Sequence, residues 1–99
     1  MTPRHIVACI VLSAWLLWYY EDGKDWELHM SYATKAECTI ALRKAIAPAA
    51  RAPGGDIAWD ETVDDAVGVA RIGPVRMVIA CLREHADPRG KDPRTLFKR

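Results

Sequence analysis

The feature that most constrains the fold is a pair of apolar, aromatic-rich runs separated by an Asp-Gly turn signal. Residues 26–32 alternate strictly between large apolar and polar side chains, which is the period-2 pattern of a half-buried strand. Asp22-Gly23 before them is a strong hairpin signal, and the aromatic run Trp15–Tyr20 is the only partner at the right distance. We therefore expect a hairpin whose second strand turns its apolar residues, Trp26, Leu28, Met30 and Tyr32, to the core and its polar residues, Glu27, His29 and Ser31, to water.

A helix is predicted to follow this hairpin. Thr34 and Glu37 have the spacing of a capping box, in which the Thr hydroxyl meets the Glu amide and the Glu carboxylate returns to the Thr amide. Apolar residues then recur at helical spacing and form one stripe toward the sheet, namely Cys38, Ala41, Leu42 and Ala45. Pro48 is expected to end the helix, and segment 47–56, rich in Ala, Pro and Gly, is expected to be a loop.

The second half of the chain predicts another hairpin. Apolar runs at 67–71 and 75–82 flank Ile72-Gly73-Pro74, and the later run is the stronger strand signal. The acidic residues before them, Asp56, Asp60, Glu61, Asp64 and Asp65, are interpreted as a solvated loop, because the residue order of a calcium-binding loop is missing. The predicted fold class is α+β, a small antiparallel sheet of two hairpins with one helix packed on it.

The three cysteines fall into two groups. Cys9 lies in the apolar opening of the chain, whereas Cys38 and Cys81 lie in segments expected to fold, so removal of the opening leaves an even number. An even number favours an exported domain, in which a Cys38–Cys81 bridge would close a loop of about 43 residues and contribute roughly 4 kcal/mol in the chain-entropy model. The alternative is a cytosolic protein with two buried thiols.

The apolar opening, residues 5–20, bears on localisation. It is short for a membrane helix, which needs about 20 apolar residues. Arg4 followed by the apolar run Ile6–Ala14 is typical of an export signal. We therefore predict two elements, an export-type segment to about Ala14 and then the first strand. The alternative is that residues 5–20 stay uncleaved as a short membrane anchor with their aromatic side chains at the outer interface.

The C-terminal segment 86–99 repeats Asp-Pro-Arg and has little to bury, so we expect a flexible basic tail. Two aspartates offset its basic residues, which would therefore contact phosphate or anionic lipid only weakly. These basic residues are Arg89, Lys91, Arg94, Lys98 and Arg99.

The predicted organisation is a signal-like or anchor segment (1–14), a small α+β domain (15–85) and this tail. A net charge of +1 gives no strong nucleic-acid signal, and 51% hydrophobic residues exclude a disordered chain.

Residues with potential chemistry do not form a recognised motif. A zinc site from Cys38, Cys81, His29 and His85 lacks the paired spacing of zinc ligands. His29 and Ser31 would share a strand face, yet nothing supplies an orienting acid or an oxyanion hole. We therefore predict no catalytic residue, no metal and no cofactor.

Three motifs are spread over the folded part of the chain. Trp15 and Trp18 form a Trp-x-x-Trp strand, Tyr32, Thr34 and Cys38 form a Tyr-x-Thr-x-x-x-Cys helix start, and Cys81-Leu82 precedes Asp-Pro-Arg-Gly at 87–90. In these motifs the chain resembles small exported bacterial proteins of unknown function. The resemblance implies an exported domain with a Cys38–Cys81 bridge, and it assigns no catalytic residue.

The functional hypothesis is an exported protein, periplasmic or extracellular, that acts as a non-enzymatic binding or envelope-associated module. Its surplus of Trp and Tyr suggests a binding surface made of Trp15, Trp18, Tyr20 and Trp26. Two alternatives stay open: a membrane-anchored accessory protein, and a cytosolic thiol or metal-binding protein. The sequence indicates neither the partner nor the oligomeric state.

Overall fold

The structure is a computed structural model that describes residues 14–90. Its elements in chain order are β1 (Trp15–Glu21), β2 (Glu27–Tyr32), α1 (Lys35–Arg51), β3 (Gly55–Glu61), β4 (Asp65–Ile72) and β5 (Val75–Arg83). The strands form one antiparallel sheet in the order β2-β1-β5-β4-β3, and α1 packs on one face, mainly over β4 and β3. The predicted α+β class with two hairpins and one helix is confirmed, and β3 is an additional strand. Residues 1–13, which hold most of the predicted export segment, lie outside the described range.

The start of α1 follows the sequence closely. Thr34 is the N-cap, and its hydroxyl accepts a hydrogen bond from the amide of Glu37 at 3.1 Å. This satisfies one of the amide groups that a helix leaves unpaired at its first turn. Cys38 and Leu42 of the predicted stripe are fully buried, while Ala41 and Ala45 pack against the same cluster with partial exposure.

A disulfide joins α1 to the centre of the sheet. Cys38 in the first turns of the helix is bonded to Cys81 of β5, with their Cα atoms 6.0 Å apart. Both residues have no solvent exposure. Cys81 pairs with Leu17 of β1 on one side and with Ala66 of β4 on the other. The bridge therefore holds the helix against the three middle strands.

The core between α1 and the sheet depends on a close approach at Gly68. A Cβ atom there would lie 2.8 Å from Leu42 Cδ2 and 3.2 Å from Ile46 Cδ1, so the helix side chains use the space that glycine leaves. The buried members of this cluster are Trp15, Leu17, Cys38, Leu42, Ile46, Ala66, Ile79 and Cys81.

A β-bulge at His29 divides β2 into two parts that face opposite ways. Met30 pairs with Leu17, but the next pair toward the hairpin turn joins Leu28 to Trp18, so His29 is an extra residue. Successive residues of a strand point to opposite faces of the sheet. The extra residue therefore turns the side chains of β2 that precede the bulge to the face opposite the one they would have in a regular strand.

The prediction that β2 turns its apolar residues to one core is therefore wrong. Tyr32 and Met30 lie on the α1 side of the sheet, whereas Leu28 and the preceding Trp26 lie on the opposite side. Leu28 and Met30 are 51% and 55% exposed. The reason is that β2 is an edge strand, and α1 packs mainly at the other end of the sheet.

The face of the sheet opposite α1 carries a second apolar cluster. Its buried members are Trp18, Trp26, Val67, Val78, Ala80 and Leu82. Residues 84–90, called the strap from here on, follow β5 across this face, where Ala86 packs against the cluster and Pro88 is fully buried. The strap thus buries apolar surface at positions that the sequence assigned to a flexible tail. The tail boundary at 86 stays a prediction.

Two predicted boundaries are wrong. Pro48 lies inside α1, which continues to Arg51. Proline removes one helical hydrogen bond, but the last turn still packs on the sheet through Ala49, which is only 4% exposed. The segment expected to be a loop contributes β3, which pairs with β4 from Gly55–Ile72 to Glu61–Ala66.

Gly55, the first residue of β3, is predicted not to tolerate a side chain. A Cβ atom there would lie 1.8 Å from the carbonyl oxygen of Ala49, and this is a backbone atom at the end of α1. We expect Gly55→Ala to lower the free energy of unfolding by about 3 kcal/mol or more, the upper end of overpacking costs, as measured by urea denaturation. The control is Gly23→Ala, which meets no atom within 4 Å and has only a positive φ of 86° to accommodate. It should cost about 1 kcal/mol. Equal losses in both variants would contradict the close approach at Gly55.

Candidate functional site

The structure does not bring the four aromatic residues of the predicted binding surface onto one face. Trp18, Tyr20 and Trp26 lie together on the face opposite α1, where the rings of Tyr20 and Trp26 are 5.3 Å apart. Trp15 lies on the α1 side, in the cluster around the disulfide. The three tryptophans are 9% exposed or less, so little of their ring surface faces solvent.

A partly exposed aromatic surface lies instead where β1 pairs with β2, on the α1 side of the sheet. We name it the tyrosine surface, and it consists of Tyr19, His29, Met30 and Tyr32. The rings of Tyr19 and His29 stack at 4.4 Å with an angle of 28° between their planes. Tyr19 and Tyr32 are half-buried against the core, while His29 and Met30 are exposed. The surface thus combines firmly seated rings with polar groups that reach solvent.

Burial shifts the pKa of one hydroxyl on this surface. Burial raises the pKa of Tyr19 above its ordinary value of 10.0, and the charge of Tyr32 raises it further. A neutral phenol both donates and accepts a hydrogen bond. The tyrosine surface can therefore bind a partner through stacking, apolar contact and hydrogen bonding.

The bulge also separates the two residues that sequence reasoning considered for nucleophilic chemistry. His29 stacks on Tyr19 on the α1 side, whereas Ser31 pairs with Leu16 and points to the other face. A histidine activates a serine only within hydrogen-bond reach. The sequence expectation that the two share a face is wrong, and this pair does not form a catalytic arrangement.

The four residues that could supply zinc ligands, which the sequence analysis rejected as a site, are also not brought together. Cys38 and Cys81 are bonded to each other, so neither supplies a thiolate. His29 lies on the edge strand, and His85 lies in the strap at another end of the sheet. Between residues 14 and 90, no group of three or more His, Cys, Asp or Glu side chains is placed to hold a metal ion.

A shallow cavity of about 390 Å³ lies at the end of the sheet where β5 passes into the strap. The residues that line it are Asp64, Asp65, Leu82, Arg83, His85, Ala86, Asp87 and Pro88. Asp65 accepts a hydrogen bond from the hydroxyl of Thr62 at 3.0 Å and belongs to the turn that starts β4. The prediction of an acidic loop is wrong for all of its residues but Asp64, because Asp56, Asp60 and Glu61 lie in β3 and Asp65 begins β4. The cavity brings Asp64 and Asp65 next to the strap.

Sequence reasoning missed one exposed aromatic residue, Trp59 of β3. The guanidinium of Arg43 in α1 lies 3.8 Å from the centre of its ring, which is a cation–π contact. Trp59 is 36% exposed. The available signal was the spacing of Ile57 and Trp59, which are two residues apart between Asp56 and Asp60, because large apolar residues at period 2 are a strand pattern.

In comparisons with known proteins, no family model, no curated protein and no solved structure matches the chain. No helix between residues 14 and 90 combines the length and apolar content that a membrane span requires. The function is therefore inferred from the residues of the chain itself.

The raised pKa of Tyr19 predicts that stability falls in alkaline solution. The unfolded phenol ionises near pH 10, whereas the folded one ionises only at higher pH, so the folded state holds this proton more tightly. The contribution of Tyr19 to stability is complete below about pH 10 and is lost as the pH rises through the folded pKa.

We expect an ultraviolet phenolate titration to show a late-titrating group that is absent in Tyr19→Phe. The variant Tyr32→Phe should lower the pKa of Tyr19, because it removes a like charge. If the late group is still present in Tyr19→Phe, the assignment to this residue is refuted.

Proposed function

We propose that the chain is an exported, non-enzymatic binding module of an oxidising compartment, either periplasmic or extracellular. The observation that supports this most is the disulfide between Cys38 and Cys81, which is buried and joins the helix to the central strand. Disulfides persist in oxidising compartments and are rare in the reducing cytosol.

The size of the domain gives the disulfide a structural purpose. A chain of 99 residues buries a modest core, and small exported domains commonly add a covalent link. The two cysteines are 43 residues apart, and a loop of that length contributes about 4 kcal/mol in the chain-entropy model. This is close to the whole stability of many small domains.

The tyrosine surface supports the binding part of the proposal. Tyr19 and Tyr32 are held by the core, so they lose little conformational freedom when a partner packs on them. Met30 adds a flexible apolar side chain that is 55% exposed. The bulge at His29 interrupts the free edge of β2, so recognition by side chains is favoured over regular addition of a strand. The partner class that fits is a protein or peptide.

Two features favour the exported module over the two alternative functions. An anchor made of residues 5–20 would remove Trp15–Tyr20 from β1, which pairs with both β2 and β5. A thiol or metal-binding role would need Cys38 and Cys81 in the reduced state, whereas they are bonded to each other. An exported module is compatible with both the pairing of β1 and the Cys38–Cys81 disulfide.

Mass spectrometry of the protein purified from its native compartment tests the proposal. We expect a mature N-terminus near Ala14 or Trp15 and a mass two hydrogens below that of the reduced chain, since one disulfide forms. Alkylation should label Cys38 and Cys81 only after reduction, which provides the matched control on one sample. An intact Met1 together with cysteines that alkylate before reduction would contradict export.

A further inference from the structure

The sheet face opposite α1 has the composition of a peptide-binding site. Trp18, Tyr20 and Trp26 place three aromatic rings on it, next to the buried Leu82. Trp18 is only 4% exposed, and its buried indole nitrogen has no hydrogen-bond partner among residues 14–90. A buried donor without a partner costs free energy, and this donor stays unpaired with the strap in place, so it does not identify the group that the face binds.

The strap already lies on this face, and its contacts are those of a bound peptide. Pro88 is fully buried, and the guanidinium of Arg89 lies 5.6 Å from the centre of the Trp18 ring. Asp87 pairs with Arg89 at 2.6 Å and so orients the guanidinium. The amide of Gly90 donates to the carboxylate of Asp25 at 3.4 Å. The contacts of the strap thus include a buried proline, an arginine over an indole ring and a long hydrogen bond, in addition to two hydrogen bonds between Glu84 and Ala14.

Each of these contacts has a known advantage in recognition of extended peptides. Proline fixes its own backbone torsion, so little conformational entropy is lost on binding, and proline-containing segments dock on aromatic-lined grooves. Arginine adds a cation–π contact on an indole ring. We propose that the aromatic face of Trp18, Tyr20 and Trp26 recognises extended peptide segments that contain Asp-Pro-Arg, and that Asp87-Pro88-Arg89 occupies this site within the chain.

Asp-Pro-Arg occurs twice in the chain, at 87–89 and at 92–94, and only the first copy lies in the described range. The site lies on the opposite face from the tyrosine surface. It depends neither on export nor on the partner class proposed above.

The strap must open before another peptide can bind. The apparent dissociation constant equals the intrinsic one divided by the fraction of molecules with an open strap. A tethered segment competes at an effective concentration of about millimolar, so the intact protein binds an external peptide weakly. A substitution that weakens the strap should therefore strengthen binding of the peptide, which is the reverse of what loss of a structural contact would do.

The experiment uses the full-length protein and a synthetic peptide with the sequence of residues 84–90, Glu-His-Ala-Asp-Pro-Arg-Gly. Binding is followed by ¹⁵N nuclear magnetic resonance of the tryptophan indole groups, with the Trp18 signal assigned by its loss in Trp18→Phe. We expect the peptide to shift the Trp18 signal and Arg89→Ala to lower the dissociation constant at least about tenfold. A peptide with Ala in place of its Pro and Arg should cause no shift.

The matched control is Arg94→Ala, the same substitution in the second Asp-Pro-Arg. It should leave the dissociation constant unchanged, because Asp87-Pro88-Arg89 still occupies the site in this variant. Arg89 is exposed and lies outside every strand, so its variant is expected to stay folded, and Pro88→Ala gives a second weakened strap. The proposal is overturned if neither variant shows a saturable shift of the Trp18 signal while its spectrum remains that of a folded protein. Equal binding by the wild type and both strap variants would also overturn it.

Discussion

The disulfide between Cys38 and Cys81 is the constraint on which the rest of the described domain depends. It fixes the first turns of α1 to β5, the central strand, which pairs with β1 and β4. From that point the helical repeat carries Leu42 and then Ile46 along the same stripe, over the space left by Gly68. One covalent bond thus sets the rotation of the helix and the depth at which it packs.

The central position of β5 explains why its sequence reads as a continuous apolar run. Residues 78–82 are all buried, because odd-numbered positions face α1 and even-numbered ones face the cluster around Trp18 and the strap. The edges of the sheet are different, since β2 has its outer side unpaired and only part of one face covered. The tyrosine surface lies at this edge, and the proposed peptide site lies under the strap on the opposite face of the sheet.

Local signals in the sequence predicted the parts of the fold that local interactions decide. The Asp22-Gly23 turn, the Thr34 cap and the apolar run of β5 are examples, since each depends on residues close together in the chain. The facing of β2 could not be predicted, because the bulge at His29 depends on pairing with β1. The prediction that Pro48 ends the helix was wrong for a similar reason. Packing of the last helical turn on the sheet outweighs the hydrogen bond that proline removes.

Part of the candidate site could be predicted from the sequence. Trp15 and Trp18 are an odd number of residues apart, so on one strand they must face opposite sides, and the predicted four-residue surface could have been divided on that ground. Trp18 and Tyr20 are two apart and do share a face. The burial of Pro88 had no local signal, because it results from contact between the strap and a sheet built from distant parts of the chain.

Guanidinium-induced unfolding, followed by circular dichroism with and without reductant, tests the central role of the disulfide most directly. The experiment uses a Cys9→Ala background, so that only Cys38 and Cys81 can form a bridge, and compares it with the variant in which both are also replaced by Ala. We expect reductant to lower the free energy of unfolding of the first protein by about 4 kcal/mol and to leave the second unchanged. An unfolding midpoint that reductant does not alter in the first protein would contradict the account.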